Sequence, residues 1–179
     1  RGVLGAGSCS AATRCTVMAA GRRTVWTGTG EDLEIQERTP SGALVQMVRW
    51  QAPDRTVLPE HVEAYYSGQL EGAETEERRR QIQQTWDQTP VAEEFPALAD
   101  LAVDRKDRVW LLEWARPTEE GPYRWIIFDQ DGAILARMRI PRDFTVHEFG
   151  EDYILGVAKG DYDEEYVVLY EIQEVGPDG

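Results

Sequence analysis

Polar and apolar residues alternate along most of this chain in stretches short enough to be strands, and the alternation returns in three similar phrases. The first runs Thr24-Val25-Trp26-Thr27, then Leu33-Glu34-Ile35-Gln36-Glu37, then Ser41-Gly42, then Ala43-Leu44-Val45-Gln46-Met47-Val48-Arg49-Trp50. The second runs Arg108-Val109-Trp110-Leu111-Leu112, then Tyr123-Arg124-Trp125-Ile126-Ile127-Phe128, then Asp131-Gly132, then Ala133-Ile134-Leu135-Ala136-Arg137-Met138-Arg139-Ile140. The third opens with Asp152-Tyr153-Ile154-Leu155-Gly156-Val157, continues through Glu165-Tyr166-Val167-Val168-Leu169-Tyr170-Glu171-Ile172, and lacks a closing strand. A further short strand precedes each phrase: Thr16-Val17-Met18-Ala19, Leu101-Ala102-Val103-Asp104 and Phe144-Thr145-Val146-His147-Glu148. The Ser-Gly and Asp-Gly pairs predict tight hairpins, because glycine tolerates positive φ at low cost.

Trp110 and Ile154 stand 44 residues apart, whereas Trp26 and Trp110 stand 84 apart with a non-β stretch between them. Removing roughly 40 residues of insertion restores the period, and a four-stranded unit recurring at ~40–50 residues is the signature of propeller blades. A β-sandwich is the alternative, although it does not repeat its strand chemistry in register. The expected fold is all-β: a partial β-propeller of nearly three four-stranded antiparallel blades, with a helical insertion between the first and second. Residues 1–55 form the first blade, 56–95 the insertion, 96–142 the second blade and 143–179 a third, incomplete blade of one propeller domain.

Within the insertion, Pro59-Glu60-His61-Val62-Glu63-Ala64-Tyr65-Tyr66 predicts a short helix with proline at its first position. A second helix is predicted over Glu74-Thr75-Glu76-Glu77-Arg78-Arg79-Arg80-Gln81-Ile82-Gln83-Gln84-Thr85-Trp86. Its apolar stripe is narrow, so Ile82, Trp86 and Tyr65 or Tyr66 are expected to rest on the rim of the blades, as a lid or side buttress.

Charge narrows the partners. The chain has 33 acidic and 19 basic residues, a formal net charge of −14, which disfavours nucleic acid and anionic lipid. No apolar run approaches the ~20 residues needed to span a bilayer, so no membrane insertion is expected. The first residue is Arg1, and no charged and apolar leader pattern follows it, so the true N-terminus is expected to be missing. An unclosed set of blades leaves sheet faces uncovered, and self-association or poor solubility is the expected result. Cys9 and Cys15, with five residues between them, fit no metal or redox motif and read as structural.

Several stretches resemble the six-bladed β-propeller proteins of the NHL and TolB-like kind, especially a bacterial set with a helical insertion before the penultimate blade. The resemblance covers most of the chain and rests on Pro59-Glu60-His61-Val62-Glu63-Ala64-Tyr65, on Leu98-Ala99-Asp100-Leu101-Ala102-Val103-Asp104 leading into Asp107-Arg108-Val109-Trp110, and on Trp125-Ile126-Ile127-Phe128-Asp129-Gln130-Asp131-Gly132. It extends to Gly150-Glu151-Asp152-Tyr153-Ile154-Leu155-Gly156-Val157 and Glu165-Tyr166-Val167-Val168-Leu169-Tyr170. It implies a full ring of six blades closed by pairing the two chain ends, of which the N-terminal blades of the same chain precede this sequence, and an exported protein, periplasmic or extracellular. It implies no reaction, since a fold does not carry a function with it.

Propellers bind ligands where loops converge at the channel mouth, and the best loop here is Glu113-Trp114-Ala115-Arg116, continuing to Pro122. Trp114 and Arg116 can stack on or hydrogen-bond a ligand; the plainer alternative is a solvated hairpin whose Trp packs on its neighbour. His147, beside Glu148, is a further ligand-binding candidate, although a lone strand histidine is more often structural, and His61 falls in no motif. Asp161, Asp163 and Glu165 crowd one loop with Glu164 and stand as weak calcium candidates, because hard cations want clustered oxygens. The loop lacks the glycine and terminal glutamate of a calcium-binding loop, and an acidic turn is usually only solvated, so no cofactor is otherwise implied. Asp104 is expected to shape a turn.

No nucleophile elbow, phosphate loop or paired-histidine motif is visible. The favoured reading is a non-catalytic propeller of the bacterial envelope or exterior that binds a protein, peptide or glycan. The alternative is a metal-dependent propeller hydrolase, lactonase-like, or a lyase with its site in the central channel. A third possibility is a scaffold domain whose insertion mediates assembly.

Overall fold

The strands form where β-branched and aromatic residues meet sharp polar turns, and they pair with their sequence neighbours. The computed structural model describes residues 16–160 and 162–173. β1 (Val17–Ala20), β2 (Val25–Gly28), β3 (Glu34–Arg38) and β4 (Leu44–Arg49) make one antiparallel sheet in chain order. β5 (Asp100–Val103), β6 (Val109–Leu112), β7 (Tyr123–Phe128) and β8 (Ile134–Ile140) make the second. β9 (Phe144–Phe149), β10 (Tyr153–Lys159) and β11 (Glu165–Glu171) make a third sheet of three strands. The described residues are therefore mostly β, with two helices.

Four hairpin turns share one construction. In each, the fourth residue donates its N–H to the first carbonyl, and the first residue donates to the fifth: Thr39 with Gly42 and Ala43, Asp104 with Asp107 and Arg108, Asp129 with Gly132 and Ala133, Gly160 with Asp163 and Glu164. The fourth residue must take positive φ, and Gly42 (89°), Gly132 (82°), Asp107 (57°) and Asp163 (60°) do so. Beside the Gly42 and Gly132 turns the register slips by one residue, the bulge that this loop length demands.

Alternation along each strand decides what packs where. Val17, Ala19, Trp26, Ile35 and Val48 of the first sheet meet Leu101, Val109, Leu111, Ile126 and Phe128 of the second in one core. The opposite face of the second sheet, with Ala102, Trp110, Trp125, Ile127 and Ile140, meets Phe144, Val146, Phe149 and Ile154 of the third. Phe149 stacks on Trp110 at 4.3 Å between ring centroids and meets Trp125 edge-on at 5.0 Å. Buried on both faces, β6 and the Trp125-Ile126-Ile127-Phe128 part of β7 read as unbroken apolar runs, where β1 and β9 alternate. β1 and β5 approach each other closely, so the first strands of the first two sheets lie side by side.

Between the first and second sheets stand α1 (Pro59–Glu71) and α2 (Glu76–Gln88). Pro59 opens α1 where a missing N–H costs nothing, and Thr75 caps α2 by accepting the Arg78 N–H at 3.2 Å. The rim contact expected for the apolar stripe is not what the helices use it for. Tyr66, Ala73 and Ile82 form their own small core with Val62, Leu70 and Trp86, and Tyr66 stacks flat on Trp86 at 4.9 Å. Two amphipathic helices joined by a short turn satisfy each other before they can satisfy a third surface.

Candidate functional site

Residues 51–58 carry the chain from the first sheet to α1, and they are tied to the returning strand. Thr56 and Glu94 form an antiparallel bridge, flanked by Val57 N–H to Glu93 C=O at 2.9 Å and Phe95 N–H to Arg55 C=O at 2.8 Å. The Arg55 guanidinium donates to the carbonyls of Phe95 and Glu31, both at 3.1 Å, and pairs with Glu94 at 2.5 Å. The Thr56 hydroxyl and then its N–H donate to Asp54 and hold that carboxyl below its ordinary range.

His61 sits at the third position of α1, where a helix start wants an acceptor reaching back. Its Nδ1 accepts the Leu58 N–H at 3.0 Å, so the imidazole does what a glutamate or glutamine does in a capping box. That bond leaves the ring proton on Nε2. The ring meets Phe95 edge-on at 5.1 Å, and the residue is 4% accessible, yet Nε2 has no partner among the described residues.

His61 lines a cleft of about 310 Å³ between the helices and the returning segment. Its walls are largely apolar: Val57, Val62, Tyr66, Ile82, Val91 and Phe95, with Pro117 from the loop between β6 and β7. Gln69, Arg78, Gln81 and Thr85 supply polar groups along the same cleft. A mostly apolar concavity of this size with a few placed polar groups is what small-molecule sites look like.

The loop of Trp114 and Arg116 is held down from several sides. The Arg116 guanidinium donates to the Asp54 carbonyl, which fastens the loop to the segment leading into α1. Arg124 pairs with Glu113 at 3.3 Å and with Glu119, and Arg142 donates to the carbonyls of Gly121 and Glu119 while lying over the Tyr123 ring at 4.8 Å. Trp114 is half-buried against the core between the first two sheets, and its indole N–H is buried without a protein partner. The space that Trp114 and Arg116 border is about 30 Å³, room for about one water and far below the ~300 Å³ where ligand pockets begin.

His147 is exposed, as the extra residue of a bulge opposite Leu155 and Gly156. The bulge lets Val146 and Phe149 both point into the core although an odd number of steps separates them. Beside it, Glu148 accepts the Tyr153 hydroxyl at 2.7 Å and pairs with Arg105 at 2.8 Å, and this acceptor raises the Tyr153 hydroxyl above its ordinary range. Among the described residues no hydrogen bond, ion pair or ring contact joins His147 to Trp114 or Arg116, while Arg116 and Pro117 stand next to each other at the foot of the cleft.

Asp163 is exposed in its turn, 4.0 Å from Lys159, and Glu165 is exposed at the start of β11. The neighbouring Glu164 is occupied by the Tyr162 N–H at 2.8 Å and the Tyr166 hydroxyl at 2.9 Å. Asp161, Cys9 and Cys15 lie outside the described residues, among which no three His, Cys, Asp or Glu side chains gather as a metal group. No described helix is long and apolar enough to cross a membrane.

Asp104 shapes its turn as expected. Its fully buried carboxylate accepts the N–H groups of Lys106 (2.8 Å) and Arg108 (3.0 Å), the Arg108 Nε (2.5 Å) and the Trp110 indole N–H (2.9 Å). What the sequence reading missed is His61. The signal was present in the spacing, an imidazole three residues after Leu58 and two after Pro59, but it spoke of helix capping before it spoke of a site. No protein-family model matches the chain, and a search of curated proteins returns no match.

Proposed function

We propose that this chain is part of a non-catalytic binding β-propeller of the six-bladed NHL and TolB-like class, at the bacterial cell envelope or exterior, whose ligand seat is the cleft of its helical insertion. The observation that carries the seat is the cleft itself: apolar walls, about 310 Å³, and a buried histidine with an unused donor. The propeller reading is supported by three chain-order antiparallel sheets, by hairpin turns of one construction, and by the side-by-side first strands of the first two sheets. Further blades of the same chain are the partners it asks for, and exposed apolar residues on the third sheet favour them.

The Val57–Glu93 hydrogen bond of 2.9 Å means that residues 58–92 can be replaced by a short glycine-serine linker without pulling the sheets apart. In a ligand-observed NMR screen of small apolar fragments, the parent chain returns binders, and the shortened chain loses them while its far-ultraviolet circular dichroism keeps the strand signal. Fragment binding that survives the replacement unchanged places the seat elsewhere, and a parent chain that binds no fragment removes the reading.

A further inference from the structure

We infer that the cleft takes a small apolar molecule carrying a neutral carbonyl oxygen, an ester, ketone or amide, which accepts the His61 Nε2–H. This deepens the seat proposed above and rests on it. His61 cannot turn its ring to present the other nitrogen without giving up the Leu58 N–H, which Nδ1 accepts at 3.0 Å, and its edge contact with Phe95 at 5.1 Å holds the ring plane. A donor is thus fixed in direction inside an apolar wall. A site built this way discriminates by what the wrong ligand leaves undone: a hydrocarbon of the same shape leaves the N–H without a partner, and an amine brings a second donor to it.

Charge separates a neutral acceptor from an anionic one. α1 and α2 pack on each other across a short connection and therefore run antiparallel, so Arg78 in the first turn of α2 and His61 in the first turn of α1 stand toward opposite ends of the cleft. Along the segments that meet the His61 end stand Asp54, Glu60, Glu93 and Glu94 against Arg55, paired with Glu94 at 2.5 Å, and Arg116, fastened to the Asp54 carbonyl, an acidic excess in a chain of net charge −14. A carboxylate seated on His61 meets this field without Arg78 to offset it, whereas a neutral carbonyl does not.

The probes are methyl 4-phenylbutyrate, 4-phenylbutyrate, 4-phenylbutylamine and butylbenzene, titrated into the full chain with amide shifts followed by NMR. The ester binds, with shifts on α1, α2 and the residues around Phe95, and the other three bind at least tenfold more weakly. His61→Asn keeps an acceptor where Nδ1 stood, so the helix start is retained, and removes the Nε2 donor; it weakens the ester at least tenfold and leaves butylbenzene unchanged. Val91→Trp fills the cleft from an exposed position without touching the core of the helix pair, and it abolishes ester binding. Equal binding of ester and butylbenzene, or an unchanged ester affinity in His61→Asn, overturns the acceptor and leaves the seat standing. Tighter binding of the carboxylate overturns the neutral-ligand assignment. Ester binding that persists in Val91→Trp, or no ester binding to the parent chain, overturns the inference, and the linker replacement above then judges the seat separately.

Discussion

Asp100 and Asp104 stand at the two ends of one short strand, and their surroundings give them opposite effects on stability. Asp104 is a buried carboxylate with four donors around it, two from the Arg108 and Trp110 side chains and two from the backbone N–H groups of Lys106 and Arg108, so its charge is compensated where it lies. Among the described residues the Asp100 carboxylate receives the N–H of Leu101, at 2.8 Å, and no side-chain donor. Burial raises its carboxyl above the ordinary 3.8, and the Leu101 N–H only partly opposes that. A carboxyl with a raised folded-state pKa adds no penalty below its unfolded value and destabilises the fold as pH rises through the folded value. Asp100→Asn, which keeps an acceptor for Leu101, therefore raises the melting temperature at pH 7, and the gap between variant and parent narrows as pH is lowered toward 4. A gap that is constant with pH, or a loss of stability at pH 7, shows that Asp100 is compensated by something other than Leu101.

At the scale of elements, turns of one construction serve different surroundings. An added methyl group at Gly42 meets nothing within 4 Å, but at Gly132 it comes within 2.6 Å of Val48 Cγ2, on the facing sheet. Both substitutions to alanine force an L-residue to positive φ, at ~1 kcal/mol or somewhat more. Gly132→Ala adds overpacking against β4, a further ~1–3 kcal/mol. Urea titration should place Gly132→Ala clearly below Gly42→Ala in midpoint with the same slope; equal midpoints mean that the Gly132 turn does not press on the first sheet as described. These turns also mark what could be read in the sequence. Glycine after serine or aspartate announced two of them, because only glycine is cheap at positive φ, while Asp107 and Asp163 take the same conformation and look like any polar turn residue. The strands and helices were legible from period and proline. Which surface the apolar stripe of the helices would meet was not, because Ile82 and Trp86 fit a sheet rim and a partner helix equally well. The seat was illegible for a related reason: a cleft is made by the space between elements, and Val57, Ile82, Phe95 and Pro117 come together only once the chain folds back through the Thr56–Glu94 bridge.

At the scale of the whole molecule, the two ends of the stack differ. On the outer face of the third sheet, Leu155 lies opposite Leu169 and Val157 opposite Val167, with Val167 79% and Leu169 54% accessible. The outer face of the first sheet places Met18 beside Thr27, Gln36 and Met47, a row with two polar members. Among the described residues β11 also presents an unpaired edge, and its seven residues contain neither lysine nor proline, the usual guards against edge pairing. In a propeller this face and edge would be covered by neighbouring blade structure; alone they invite a second copy. Opposing that is the net charge of −14, whose repulsion reaches about 10 Å at 0.1 M salt and shrinks as salt is added. The chain should therefore self-associate with rising concentration in sedimentation velocity, more strongly at high salt. Val167→Lys with Leu169→Lys should return it to a monomer, whereas Met18→Lys should leave association unchanged. Association that Met18→Lys removes puts the contact on the first sheet instead. A monomer at every concentration and salt shows that the exposed apolar rows of the third sheet need no cover, and takes away their support for further blades.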